Sequence, residues 1–131
     1  MGTVFTQSRK DAKEEKKMNI EKLRKFCLAL PGATEDIKWG NDLCFCVGAK
    51  MFTVTAADSS NAGVSLKTTP EKFAELTERQ GIIPAHYVAR YHWVTIEDLN
   101  AVTAAELKDL IRESYQMVFD KLPSKIKKQI S

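Results

Sequence analysis

One segment of the chain gathers more side chains capable of chemistry than any other. Residues 81–96, GIIPAHYVARYHWVTI, contain both histidines, two of the three tyrosines, one of the two tryptophans and Arg90. Imidazoles transfer protons and ligate metals, and aromatic rings provide apolar faces against which ligands pack. Any pocket of this protein should therefore be sought beside this segment.

A ligand pocket is the sharpest hypothesis for this part of the chain. Its apolar walls and its anion-recognising or base-recognising groups would come from six residues: Trp39, Tyr87, Trp93, Lys67, His86 and Arg90. The alternative is that Tyr87 and Trp93 are core residues with hydrogen-bonded polar atoms, as large aromatics usually are. We favour the core for Trp93, because WVTI is typical of a strand that carries Trp and Thr on one face.

Catalytic motifs are absent from the sequence, which contains no G-x-S-x-G, no H-E-x-x-H and no phosphate-binding glycine loop. The adjacent acidic pairs, residues 35–36 and 97–98, should have diverging side chains that do not act together as acid and base. Catalysis by His86 with Cys44 or Cys46 is the weaker alternative. We therefore expect a protein without catalytic residues or cofactor, and not an enzyme.

The three cysteines indicate a reducing compartment. Their number is odd and the polar, charged first residues do not form an apolar leader, so we expect a cytoplasmic protein. Cys44 and Cys46 should share one face of a strand, LCFCV. Two thiols on one face could begin a metal site, but small buried apolar residues are the commoner role for cysteine, and we expect no metal.

Charge is distributed unevenly along a chain whose formal net charge is +3. Residues 1–25 have a net charge of +4 and residues 121–131 a net charge of +4, whereas the residues between them have −5. The body is therefore acidic and the basic residues lie at the two ends. Basicity is for this reason a weak argument for a nucleic-acid partner. No apolar run is long enough to span a membrane.

Patterning predicts one domain of the α+β class. Asn19 and an apolar stripe predict a first helix closed by Pro31 and Gly32. Extended runs then predict a three-stranded meander, followed by a fourth strand, VSLK. A middle helix should begin at Pro70 and end near Gly81, and WVTI should be a further strand. Thr103 and Glu106 form a capping box for the longest helix, which Pro123 stops.

Several of these landmarks, in their order along the chain, resemble the MmcQ/YjbR family from about Met18 to about Pro123. The matching positions are Leu30, Pro31, Gly32, Glu35, Trp39, Gly40, Gly48, Lys50, Phe52, Ser65, Leu66, Lys67, Pro70, Pro84, Ala85, Tyr87, Trp93, Val94, Ser114 and Tyr115. His86 departs from the family pattern, where proline or a basic residue is more usual. That departure argues against a shared catalytic task for His86.

The resemblance implies a CyaY-like fold, in which an antiparallel sheet of about five strands is flanked by an N-terminal helix, a middle helix and a long C-terminal helix. It also implies a DNA-binding role. On this view Lys38, Lys50, Lys67 and Arg90 contact duplex DNA, with Lys38 and Lys50 brought together on a wing by the turn at residues 40–42. The alternatives are solvated strand-edge lysines that bind nothing, or a module that binds a small ligand or a protein.

The same shape is that of frataxins, whose iron site is an acidic ridge on the first helix. Here that helix carries Lys22, Arg24 and Lys25 against Glu21 alone, so frataxin-type iron binding is disfavoured. We divide the chain into a polar extension or tail at residues 1–17, a domain at residues 18–123 and a basic tail at residues 124–131.

Overall fold

The computed structural model describes residues 19–38, 42–56, 63–85 and 88–130. Its strands form one six-stranded antiparallel sheet in the order β1-β2-β3-β4-β6-β5. The strands are β1 Ala33–Lys38, β2 Asp42–Val47, β3 Lys50–Ala56, β4 Val64–Lys67, β5 Ile82–Pro84 and β6 Trp93–Ile96. The helices are α1 Ile20–Leu28, α2 Pro70–Thr77, α3 Ala104–Asp120 and α4 Ser124–Ile130, with short 3-10 turns at Ala89–Tyr91 and Leu99–Ala101. This confirms the predicted α+β class.

Side-chain caps begin three of the helices where the sequence predicts them. Asn19 accepts a hydrogen bond from the Lys22 N–H at 2.9 Å, and Thr69 accepts one from the Lys72 N–H at 3.2 Å. At α3 the Thr103 hydroxyl accepts from the Glu106 N–H at 3.0 Å. Each cap satisfies a backbone donor that the first turn of a helix leaves without a partner.

The core lies between one face of the sheet and the first three helices. Leu43, Phe45 and Val47 alternate along β2 and are all buried in this core, as a period of two residues requires. Helix α3 contacts β2, β3 and β4, while α1 contacts β1 and α2 contacts β5 and β6. The sheet and α3 therefore hold each other in place along most of their length.

The predicted basic tail at residues 124–131 is a helix, α4, from Ser124 to Ile130. Leu122, Ile126 and Ile130 recur every four residues and pack against the core cluster. Two glycines make room for them: a Cβ at Gly48 would come within 2.7 Å of Leu122, and one at Gly32 within 2.8 Å of Ile130. Both glycines also have positive φ, +56° and +72°. Because lysines lie between these apolar residues, the segment was predicted to be a basic tail and not a helix.

Two other elements differ from the predictions. Helix α2 ends at Thr77 instead of near Gly81, because the Thr77 hydroxyl bonds back to the Phe73 carbonyl and the chain turns out of the helix at residue 78. Strand β5, only three residues long and ending in Pro84, was not predicted. It pairs antiparallel with β6, so the aromatic segment at 81–96 contributes two strands instead of one. The predicted extension at residues 1–17 lies outside the described residues.

Candidate ligand site: a lysine-lined pocket

A pocket of about 450 Å³ opens at one end of the sheet, where β3 begins, β4 ends and β6 begins. The last turn of α3 and the turn that follows it close the other side. The lining residues are Lys50, Met51, Lys67, Val88, Trp93, Val118, Lys121, Leu122 and Pro123. This volume and this mostly apolar lining with a few polar groups are typical of small-molecule sites.

Lys67 is held at the pocket by the backbone of its strand. It is the cross-strand partner of Trp93 in the antiparallel pair of β4 and β6. The next residue, Thr68, ties the strand end down further, because its N–H and its hydroxyl both donate to the His92 carbonyl, at 2.8 and 2.7 Å. Adjacent antiparallel partners place their side chains side by side, so the Lys67 stem lies beside the Trp93 indole.

A buried hydroxyl of α3 bridges the two strands where they separate. Strands β3 and β4 pair as far as Thr53 and Leu66 and then diverge, and Phe52 is the extra residue of a β-bulge. Ser114 donates to the Phe52 carbonyl at 2.6 Å and accepts from the Lys67 N–H at 3.0 Å. The separation of the strands beyond this bridge leaves the space of the pocket.

The electrostatics of the pocket are those of an anion site. Its charged lining groups are Lys50, Lys67 and Lys121, and no carboxylate among the described residues lies within salt-bridge distance of them. Burial lowers the pKa of Lys67 from its ordinary value, and the adjacent Lys121 amine lowers that pKa further through a side-chain contact and charge repulsion. An anion between these ammonium groups would relieve that repulsion.

Trp93 combines the two roles that we considered for it, core residue and pocket wall. Only 9% of its surface is exposed, as expected of a core residue, and it nevertheless lines the pocket. Its pocket-facing part provides an apolar wall in a pocket that Lys67 also lines. Of the six residues predicted for a ligand pocket, Lys67 and Trp93 line this one.

The other predicted site residues lie elsewhere or outside the described residues. Arg90 is on the 3-10 turn, exposed, with its guanidinium 4.9 Å from the centre of the Tyr91 ring, and does not line this pocket. Trp39, His86 and Tyr87 lie outside the described residues.

The predicted wing that brings Lys38 and Lys50 together is wrong. Lys38 pairs with Asp42 at one end of β2, whereas Lys50 pairs with Val47 at the other end. Five residues of extended strand separate the two positions by about 17 Å. Strand β1 ends at Lys38 and its antiparallel partner β2 begins at Asp42, so the chain returns beside Lys38 and away from Lys50.

Lys121 is the site residue that sequence reasoning missed, since it was assigned only to the basic end of the chain. A usable signal was present. Val118 and Leu122 continue the apolar stripe of α3, so Lys121 lies between two core-facing positions at the helix end and its amine must emerge near the sheet.

The cysteines offer little nucleophilic chemistry. All three are buried and unpaired, and burial raises the pKa of Cys27 to about 12. Burial also raises the pKa values of Cys44 and Cys46, which lie on the face of β2 opposite Phe45. Within the described ranges, no group of three or more His, Cys, Asp or Glu residues is placed to hold a metal ion.

Two acidic residues elsewhere in the molecule are engaged in structural ion pairs. Arg24 forms a two-point contact with Glu35, which lowers the pKa of that carboxyl. Arg79 contacts both carboxylate oxygens of Glu106 at 2.8 Å, so Glu106 joins α3 to the turn after α2 instead of closing the predicted capping box. These contacts hold structural elements together.

Comparison with known proteins decides the family. The family model described as YjbR matches residues 28–117. The chain belongs to the YjbR family. Among its relatives, the Uncharacterized protein YjbR of Escherichia coli (strain K12) is 29% identical over 116 residues, covering 85% of this chain and 96% of that protein. The Uncharacterized protein YbdF of Escherichia coli O157:H7 is 27% identical over 89 residues, covering 66% and 71% of the two chains.

Solved structures show the same fold. The crystal structure of Deinococcus radiodurans protein DR2400, described with the family-model domain DUF419, matches with a TM-score of 0.76 and 31% identity, over 85% of this chain and 86% of that one. A protein from Pseudomonas syringae, target PsR293, matches with a TM-score of 0.64 and 23% identity over 77% and 99%. In this YjbR chain, three of the landmarks that first suggested the family, Lys50, Lys67 and Trp93, converge on the pocket.

Proposed function

We propose that this protein is a binding module for a small anionic ligand that also carries an apolar or aromatic part. The observation that supports it is the pocket itself, which three lysines and a tryptophan line and where none of the described carboxylates lies within salt-bridge distance of the lysines. The lysines would bind a carboxylate, sulfonate or phosphate through charge-assisted hydrogen bonds. The indole of Trp93, with Val118 and Leu122, would pack against the apolar part of the ligand.

The binding role would require no cofactor and no catalytic group, in keeping with the sequence-based expectation of a protein that is not an enzyme. Its three unpaired cysteines support the cytoplasm as the expected compartment. No helix among the described residues has both the length and the apolar character needed to cross a membrane.

A pair of matched probes tests this proposal. 1-Naphthoate and 1-naphthamide have the same ring system, but only the first is charged. Isothermal titration calorimetry at low salt should show saturable binding of naphthoate and at least about tenfold weaker binding of the amide, which corresponds to about 1.4 kcal/mol. Equal affinity for the two probes, or no saturable binding of either, would refute an anion site.

Charge variants locate the site. Lys121→Met and Lys50→Met should each weaken naphthoate binding, by about threefold to thirtyfold for a charge-assisted contact of a partly exposed lysine. Lys25→Met removes the same charge from the exposed surface of α1 and should leave the affinity unchanged. Similar losses in all three variants would mean that net charge, and not the pocket, governs binding.

Duplex DNA is the second candidate, and the charge of α4 favours it. Lys125, Lys127 and Lys128 lie on this helix, which contains no acidic residue and follows directly after the pocket residues Lys121 and Pro123. A phosphate backbone could extend along this end of the molecule with one phosphate at the pocket. This surface of α4 replaces the wing of Lys38 and Lys50 as the predicted DNA-binding region. Arg90, which was also predicted to contact DNA, lies outside the pocket lining.

A salt titration distinguishes the two candidates. For DNA, log affinity should fall with log salt at about −0.9 for each phosphate contacted. Lys125→Glu with Lys128→Glu should weaken duplex binding but leave naphthoate binding nearly unchanged. Lys38→Glu, at the far end of β1, is the matched control for both ligands. Absence of saturable duplex binding at low salt would exclude the DNA candidate.

A further inference from the structure

The lysine pair inside the pocket has a property that simple anion binding does not need. An ammonium group is a donor with no acceptor site, so two protonated lysine amines gain nothing by lying against each other. Lys67 and Lys121 nevertheless line the same pocket, and Lys121 lowers the pKa of Lys67. Two amines that share a pocket favour a state in which one of them is neutral or an anion lies between them.

The surroundings of the two amines differ. Lys67 extends from the end of β4 with its backbone N–H bound to Ser114 and its stem beside Trp93, and it is half-buried. Lys121 lies just after the end of α3 and is exposed. Burial therefore penalises the charged form of Lys67 more than that of Lys121. The pKa of Lys67 is lowered in agreement with this geometry.

We propose that Lys67 is a nucleophilic amine that forms a reversible Schiff base with an anionic aldehyde or ketone bound in the pocket, with Lys50 and Lys121 holding the anionic group. This inference rests on the proposed anion-binding function and names the chemical class of its ligand. A neutral amine next to a second cation in a partly apolar pocket is a recognised arrangement for lysine nucleophiles.

The condensation balances without any oxidant or reductant. The lone pair of the neutral Lys67 Nζ forms a bond to the carbonyl carbon, and the π pair of the C=O bond moves to its oxygen, which takes a proton from the Lys121 ammonium. The nitrogen of this carbinolamine returns a proton to Lys121. A second proton, from solvent, then allows the oxygen to leave as water while the nitrogen lone pair forms the C=N bond of a protonated imine.

The test traps the imine with a probe of matching chemistry. The full chain is incubated with 4-formylbenzoate and sodium cyanoborohydride at pH 7, and the modified lysines are located by peptide mass mapping. Lys67 should be labelled before every other lysine of the chain. Benzaldehyde, which lacks the carboxylate, should lose this preference. Excess 1-naphthoate should suppress the labelling of Lys67 several-fold and leave that of the exposed lysines unchanged.

Variants separate this chemistry from anion binding. Lys67→Arg removes the nucleophile, so it should lose the early adduct while the other lysines are labelled as in the unmodified protein. Lys121→Gln removes the neighbouring cation, and the Lys67 adduct should form several-fold more slowly at pH 7. If naphthoate binds normally but labelling is spread evenly over the lysines, the Schiff-base inference is overturned while the proposed function stands. If naphthoate does not bind either, both fail together.

Discussion

The buried hydroxyl of Ser114 is the contact on which the shape of the pocket depends most. It is fully buried, donates to the Phe52 carbonyl at 2.6 Å and accepts from the Lys67 N–H at 3.0 Å. Ser114→Ala removes one oxygen atom and little volume, so the loss of hydrogen bonds dominates its effect. Two backbone groups lose their partner, one of them in a dry environment.

The expected cost follows from these two groups. A buried carbonyl left without a donor costs about 1–3 kcal/mol, and the less buried N–H of Lys67 adds about 0.5–1.5 kcal/mol. Ser114→Ala should therefore reduce the free energy of unfolding by about 2–4 kcal/mol in a urea titration, with an unchanged m-value. It should also weaken naphthoate binding, because β3 and β4 are no longer fixed to α3 at the pocket.

A matched control shows that burial causes this cost. Thr103→Ala removes a hydroxyl from the exposed N-cap of the same helix, where water can replace it, and should cost about 1 kcal/mol without changing naphthoate affinity. A loss below about 0.5 kcal/mol for Ser114→Ala, or an equal loss in the two variants, would refute the bridging role of Ser114.

Three further predictions concern the frame around the site. The ion pair with Arg79 lowers the pKa of Glu106, so its stabilising contribution of about 1 kcal/mol or less is present above pH 4.5 and is lost as the pH falls through the folded-state pKa. Arg79→Met should therefore flatten the dependence of the unfolding free energy on pH between about 5 and 3. An unchanged pH profile would contradict this prediction. In the β2–β3 turn, Gly48→Ala should destabilise the protein by about 1–3 kcal/mol, because the new methyl group would collide with Leu122 and φ is positive there. Ala49→Gly should stabilise the protein by about 0.5–1 kcal/mol, because φ at Ala49 is +66°. Melting temperatures that shift in the same direction in the two variants would be inconsistent with this. Because burial raises the pKa of Cys27 to about 12, iodoacetamide at pH 8 should leave the Cys27 thiol unmodified until the protein is unfolded. Alkylation of Cys27 in the folded protein at the rate of a free cysteine would show that this thiol is accessible.

The sequence predicted the elements that carry strong local signals. Asn19 and Thr103 cap helices where their side chains were expected to do so, and the middle helix begins at Pro70 as predicted. The run LCFCV was predicted to be a strand and lies in β2. Helix α4 and strand β5 were not predicted, because their sequence patterns are short. The pattern at α4 is three apolar residues among lysines, and the pattern at β5 is three residues that end in proline. Their stability comes from packing that no local pattern records.

Part of the site was predicted from the sequence, and the error in the rest concerns the register of the strands. Lys67, Trp93 and Lys50 were all selected, but Lys50 was paired with Lys38 because sequence reveals the order of strands more readily than which residues lie opposite one another. Once β2 pairs along its whole length with both neighbours, the two lysines lie at opposite ends. Lys121 approaches the sheet only because α3 crosses it and ends there, which is a tertiary contact.

The state of the Lys67 amine gives the most direct test of the anion site. With lysines labelled by ¹³C at the ε carbon, the Lys67 resonance can be assigned by Lys67→Arg and titrated between pH 6 and 11, with and without saturating 1-naphthoate. The pKa of Lys67 should be below its ordinary value of 10.5 in the free protein and should rise when naphthoate binds, because the anion stabilises the ammonium. A Lys67 pKa at its ordinary value in the free protein that does not change with ligand would contradict the account.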